Sequence, residues 1–127
     1  AQKLFDDAAK VPPVVHPVVR VHPSTGKKAL FVNPGFTTHI VGYSRIESDN
    51  LLKLLYEHAT QPEFVLRHHW QPGDVLLWDN RATMHYASDD YGTAERRMRR
   101  VTIRGGNTVG PLGQQSHIVS DPLQTVR

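Results

Sequence analysis

The chain has 127 residues, is 39% apolar and carries a formal net charge of +3, which suits one modest domain and argues against a disordered tail. It has no cysteine, which excludes a disulfide framework or a thiolate metal site, and no apolar run near the roughly 20 residues that span a bilayer. Its opening, AQKLFDDAAKVPP, has two acids and no apolar core, unlike a secretory signal. A cytoplasmic protein without a membrane partner is expected. Much of the basic excess lies in one cluster, Arg96, Arg97, Arg99 and Arg100, and a clustered charge says more about a site than the net value says about partners.

Residues 1–13 read as a short helical or loose lead-in ending at Pro12-Pro13. Val14, Val15, Val18, Val19 and Val21, interrupted by Pro17 and closed by His22-Pro23, read as an irregular strand near a sheet edge. Ser24-Thr25-Gly26-Lys27 supplies a turn before Ala29 to Val32, so 18–33 predicts a hairpin. Asn33-Pro34-Gly35 ends it, and 36–40 reads as a loop or a short extended piece. Ser44 with Glu47 fits a capping box, and Leu51, Leu54, Leu55 and Ala59 follow at helical spacing. That predicts a helix over about 46–59, ended before Pro62.

Strands are then predicted over 64–70, 75–78 and 98–103, with turns at 71–74 and 79–81 and a short extended piece over 84–86. Residues 106–127, dense in Gly, Pro, Gln and Ser, read as an irregular tail. Short strands, frequent turns and one or two helices predict a mainly β fold of the sandwich or jelly-roll kind.

The stretch from Trp70 to Arg100 combines a strand, a tight polar turn, a histidine and an arginine cluster. His85 would sit at a strand end, and arginines from a neighbouring strand could clamp a small anion through bidentate, charge-assisted hydrogen bonds. On spacing alone, a single histidine after a turn is usually a surface or satisfied histidine, and an arginine-rich run is usually a solvated strand face or a phosphate patch. By alternation, Arg97 and Arg99 face away from Arg96 and Arg100.

Phe36-Thr-Thr-His-Ile-Val, Gln61-Pro-Glu-Phe, Trp70-Gln-Pro-Gly-Asp, Trp78-Asp-Asn-Arg-Ala-Thr-Met-His85-Tyr-Ala and Arg96 to Arg100 follow in order. Together they resemble the taurine dioxygenase family of iron(II)/2-oxoglutarate-dependent dioxygenases, from about Pro17 to Gly105. The tail, Val109-Gly-Pro-Leu-Gly-Gln-Gln-Ser116, is most similar to the alkylsulfatase branch. The resemblance implies that 1–127 is the C-terminal portion of a single dioxygenase domain, part of a double-stranded β-helix (jelly roll).

It also implies roles. His85 matches the distal histidine of a 2-His-1-carboxylate iron(II) site, Arg96 the arginine that grips the far carboxylate of 2-oxoglutarate, and Arg100 the one that holds the substrate sulfonate or sulfate. Phe36 matches an aromatic packed on the substrate. Trp70 and Trp78 match tryptophans near the iron, with core packing as their other reading. Asp79, Asn80 and Arg81 match turn residues that set the pose of His85. The implied reaction uses O2 and 2-oxoglutarate to hydroxylate a carbon beside sulfur or ester oxygen, giving succinate, CO2 and an unstable product that releases sulfite or sulfate. A homo-oligomer is expected of the complete enzyme.

One element of the family pattern is missing. None of the eight histidines is followed two positions later by Asp or Glu, so the family's H-x-D ligand pair has no counterpart, nor does its threonine for 2-oxoglutarate. These residues are expected to be a fragment of a longer enzyme, inactive alone, or else a truncated, non-catalytic anion-binding domain. His68 and His69, adjacent on a predicted strand, face opposite sides. His16 and His22 have no carboxylate placed beside them by the sequence. Nucleic-acid binding through Glu95 to Arg100 is a third reading, but that run lacks interleaved aromatics and fits no nucleic-acid signature.

Overall fold

The computed structural model describes residues 12–88 and 91–119; the predicted lead-in lies outside these residues except for Pro12 and Pro13. Pairing begins at β1 (Val14–Val15). Pro17 has no N–H to donate, and the chain resumes pairing at β2 (Val19–Val21), which runs antiparallel to β3 (Lys28–Leu30). The Ser24–Lys27 turn closes this hairpin as its composition predicts. His22 N donates to Lys27 O at 2.8 Å and Gly26 N to His22 O at 2.9 Å. Gly26 sits at φ +68, a region costly for a residue with a Cβ.

The helix α1 (Arg45–Ala59) starts where the capping box places it. Ser44 Oγ accepts from Glu47 N while the Glu47 carboxylate accepts from Ser44 N at 2.9 Å. A cap of this kind stabilises a helix by about 1 kcal/mol. Its inner face is not quite the predicted stripe: Ser48 and Leu52 are buried, whereas Leu54 is 62% exposed. Two residues along a helix turn a side chain by about 200°, so Leu52 and Leu54 cannot share a face. Ser48 Oγ accepts from Ile40 N at 2.8 Å, tying the loop before α1 to the helix.

Two sequence expectations are corrected. The strands predicted over 64–70, 75–78 and 98–103 are not formed: Pro62–Phe64 is a 3-10 turn, and the rest has no ladder partner among the described residues. Alternating apolar residues become a strand only when another backbone satisfies their N–H and C=O groups, and no described segment lies alongside. The 106–119 part of the tail is more regular than expected. Val109 bridges Gln115, Val109 O accepts from Val21 N at 2.8 Å, and β4 (His117–Ile118) pairs with β1, Val14 opposite Ile118. The tail thus closes on the first strand through backbone hydrogen bonds that do not depend on its side chains.

Among the described residues only Val32 and Leu52 are buried apolar side chains. The chain exposes 11372 Å², against roughly 6,800 Å² for a compact monomer of its mass. Leu66, Val75, Leu77, Val101 and Ile103 are all more than 80% exposed, and all lie in or beside the unpaired stretches. No helix among the described residues is long and apolar enough to cross a membrane.

Candidate functional site

The turn that leads to His85 is built on Asp79. Its carbonyl accepts from Ala82 N (3.1 Å), Thr83 N (3.0 Å) and Thr83 Oγ1 (2.8 Å). Its carboxylate accepts from three donors of Arg81, the backbone N–H at 2.8 Å, Nε at 2.9 and 3.2 Å and Nη2 at 2.7 Å. Trp78 Nε1 donates to Asn80 Oδ1 at 2.8 Å, and the Trp78 ring lies 4.9 Å from that of His85, tilted by 51°. Asp79, Asn80 and Arg81 therefore shape the turn two residues before the histidine.

Asp79 also reaches the hairpin. His22, only 7% exposed, places Nε2 2.9 Å from Asp79 Oδ2. His22 Nδ1 accepts from Ser24 N and Thr25 N, both at 3.2 Å. With Nδ1 acting as acceptor, Nε2 must carry the proton it donates to Asp79. This corrects the expectation that no carboxylate stands beside His22: the partner is 57 residues away in sequence. His68 likewise has Asp74 Oδ2 at 3.1 Å from its Nε2. Asp79 already pairs with a guanidinium, and among the described residues no three His, Asp or Glu side chains cluster to hold a metal.

Hydrogen bonds from Arg81, and then from His22, hold the Asp79 carboxyl well below the usual carboxylate range. The buried Arg20 guanidinium lies 4.8 Å from the Phe31 ring centroid; burial first and the nearby Arg81 second push its pKa down. Folded Asp79 keeps its charge to lower pH than the unfolded chain does. Its contribution to stability is therefore present above the ordinary value of 3.8 and is lost as pH falls below it. Thermal unfolding of the complete protein followed against pH is expected to show a steeper loss below about pH 5 in the wild type than in Asp79→Asn.

The remaining site residues are exposed. Arg96 Nη1 donates to Ser88 O at 3.5 Å and its guanidinium lies 5.2 Å from the Tyr91 ring centroid, so it stands near the chain just after His85. Arg97 pairs with Glu95 at 2.6 Å. Phe36 is 61% exposed, on a turn in which Asn33 O accepts from Phe36 N and Thr37 N. Among the described residues, neither Arg100 nor Phe36 makes a hydrogen bond or ring contact with His85. Two shallow concavities lie elsewhere, one between Pro34 and α1, the other between Val14 and Thr108.

The model of the taurine catabolism dioxygenase TauD, TfdA family matches residues 2–102. The chain belongs to this family. It is 52% identical over 101 residues to an alpha-ketoglutarate-dependent sulfate ester dioxygenase of Pseudomonas putida, covering 80% of this chain and 33% of that protein. It is 49% identical over 98 residues to an alkylsulfatase of Acinetobacter baylyi, covering 77% and 31%. A crystal structure of a taurine dioxygenase from Burkholderia xenovorans superposes with a TM-score of 0.79 at 40% identity, over 98% of this chain and 49% of that one. The chain thus spans about a third of the length of these curated relatives.

His85 is the one predicted metal ligand. An imidazole at the end of a hydrogen-bonded turn fits a single vertex of an iron site, and among the described residues no group of three His, Asp or Glu side chains completes one.

Proposed function

We propose that these residues are the C-terminal portion of an iron(II)/2-oxoglutarate-dependent dioxygenase domain of the double-stranded β-helix type. Its substrate is an alkyl sulfate ester or alkyl sulfonate. The observation that carries the substrate class is the identity of 52% and 49% to a sulfate ester dioxygenase and an alkylsulfatase. A 2,4-dichlorophenoxyacetate dioxygenase of Burkholderia matches at 43%. The excess exposed surface and the unpaired apolar stretches support a portion that the rest of a jelly roll covers.

In this reading His85 gives one nitrogen to the metal. Arg96 grips the far carboxylate of 2-oxoglutarate, Arg100 pairs with the anionic head of the substrate, and Phe36 packs on its alkyl chain. When bound, iron(II) with 2-oxoglutarate supplies the oxidising power to hydroxylate a C–H bond with O2. The contribution of these side chains is orientation and charge pairing. Hydroxylation of the carbon that bears the ester oxygen leaves a product that collapses to an aldehyde and sulfate.

The test is stoichiometry in the complete protein, supplied anaerobically with iron(II) and then with O2, 2-oxoglutarate and an alkyl sulfate. One sulfate released per succinate formed is expected. Succinate formation stimulated by an aryloxyacetate, and by neither sulfate esters nor sulfonates, overturns the substrate class.

A further inference from the structure

Residues 66–105 include the proposed ligand and both proposed anion clamps, and nearly all of this stretch is exposed. Its hydrogen bonds are almost all internal, such as His68 to Asp74, Trp78 to Asn80, Arg96 to Ser88 and Arg97 to Glu95. Among the described residues, one hydrogen bond ties it to the rest of the chain, that between His22 and Asp79.

Both ends of that bond are fixed. His22 is the last residue before the hairpin turn, its backbone pairs with Lys27 and Gly26, and its ring is oriented by Ser24 N and Thr25 N. Asp79 is the hub of the turn that delivers His85: its carbonyl holds Ala82 and Thr83, and its carboxylate holds Arg81.

We propose that His22 is a positioning residue for His85, acting through Asp79 to fix the His85 turn against the β2–β3 hairpin. The proposal rests on the reading of His85 as a metal ligand. A turn that carries a ligand can adopt several positions even where the strands on either side of it are paired, and each alternative weakens the site. Fixing the turn at Asp79 narrows that range, as residues one step behind metal ligands do elsewhere, where their loss costs about ten- to a hundredfold in metal affinity. The chemistry requires a donor at the Nε2 position of residue 22. Glutamine can place its side-chain N–H₂ there, and leucine cannot.

The experiment uses the full-length protein and four variants, His22→Leu, His22→Gln, Asp79→Asn and His85→Ala. Anaerobic iron(II) titrations are run well below each unfolding temperature, together with the visible bands of the cobalt(II) form, which report ligand geometry. His22→Leu and Asp79→Asn are expected to weaken iron(II) by about tenfold or more and to alter the cobalt bands. His22→Gln is expected to recover most of both. Asp79→Asn also disturbs the pairing with Arg81, so a fifth variant, His22→Asn, whose N–H₂ is too short to reach Asp79, carries the same test where His22→Leu does not fold.

A purely structural role lowers the unfolding temperature but leaves iron affinity and cobalt bands at wild-type values. That result, with His85→Ala still losing the metal, overturns the positioning role alone. If His85→Ala keeps wild-type affinity, the ligand assignment fails and the positioning role with it.

Discussion

His85→Ala in the complete enzyme is expected to abolish turnover and to weaken iron(II) by more than a hundredfold. Partners behind a ligand already cost about ten- to a hundredfold, and removing the donor itself must exceed that. Among the described residues, no group of three His, Asp or Glu side chains stands ready to hold the metal instead. The ring beside His85 belongs to Trp78, whose indole nitrogen offers only a donor N–H and is engaged by Asn80. His68 and Asp74 pair with each other. Anaerobic calorimetry gives the affinity, and succinate formation gives the rate. If the variant retains wild-type affinity, His85 is a surface histidine, the reading that its spacing alone favours.

The second large effect separates the two arginines. Arg96→Ala in the complete enzyme is expected to raise chiefly the KM for 2-oxoglutarate, and Arg100→Ala chiefly that for the sulfate or sulfonate. Four residues of extended chain span about 13 Å, enough to reach opposite ends of a cavity with the metal between. Each lost charge-assisted contact is expected to cost about ten- to a hundredfold in the affected constant. Arg97, between them, is already paired with Glu95. Steady-state kinetics with each substrate varied in turn measure the split. Two variants that disturb only 2-oxoglutarate would remove Arg100 as the substrate clamp.

Elements specified within a few residues were legible in the sequence. The capping box at Ser44 and Glu47 fixed the start of α1, and the turn chemistry of Ser24 to Lys27 fixed the hairpin. Elements that need a distant partner were not. The alternation in 64–70, 75–78 and 98–103 marks chain suited to a strand, but pairing depends on a second backbone, and the described residues provide none. The closure of His117–Ile118 onto Val14–Val15 leaves little trace in the sequence because the tail carries few apolar residues and the contact is a backbone ladder.

The site divides in the same way. The family motif around His85 was legible because Trp78 to Ala87 is contiguous, and family membership follows from the match over 2–102. His22 was not. Its partner is 57 residues away, and a histidine ending a strand carries no local mark of a contact with a distant carboxylate. The one available hint was its place immediately before a tight turn, where backbone N–H groups can fix a ring. The Asp79–Arg81 pair was visible as a turn, but its link to β2 was not.

The most direct test of the account is an anaerobic iron(II) titration of the isolated 127-residue chain beside the complete enzyme. In the proposed function this chain contributes one ligand, His85, to a site completed by residues outside it. The expected result is no binding by the isolated chain in the micromolar range, and binding by the complete enzyme that His85→Ala removes. Micromolar affinity in the isolated chain would contradict the proposed function, since one imidazole cannot supply such a site and the ligand set would have to lie within these residues.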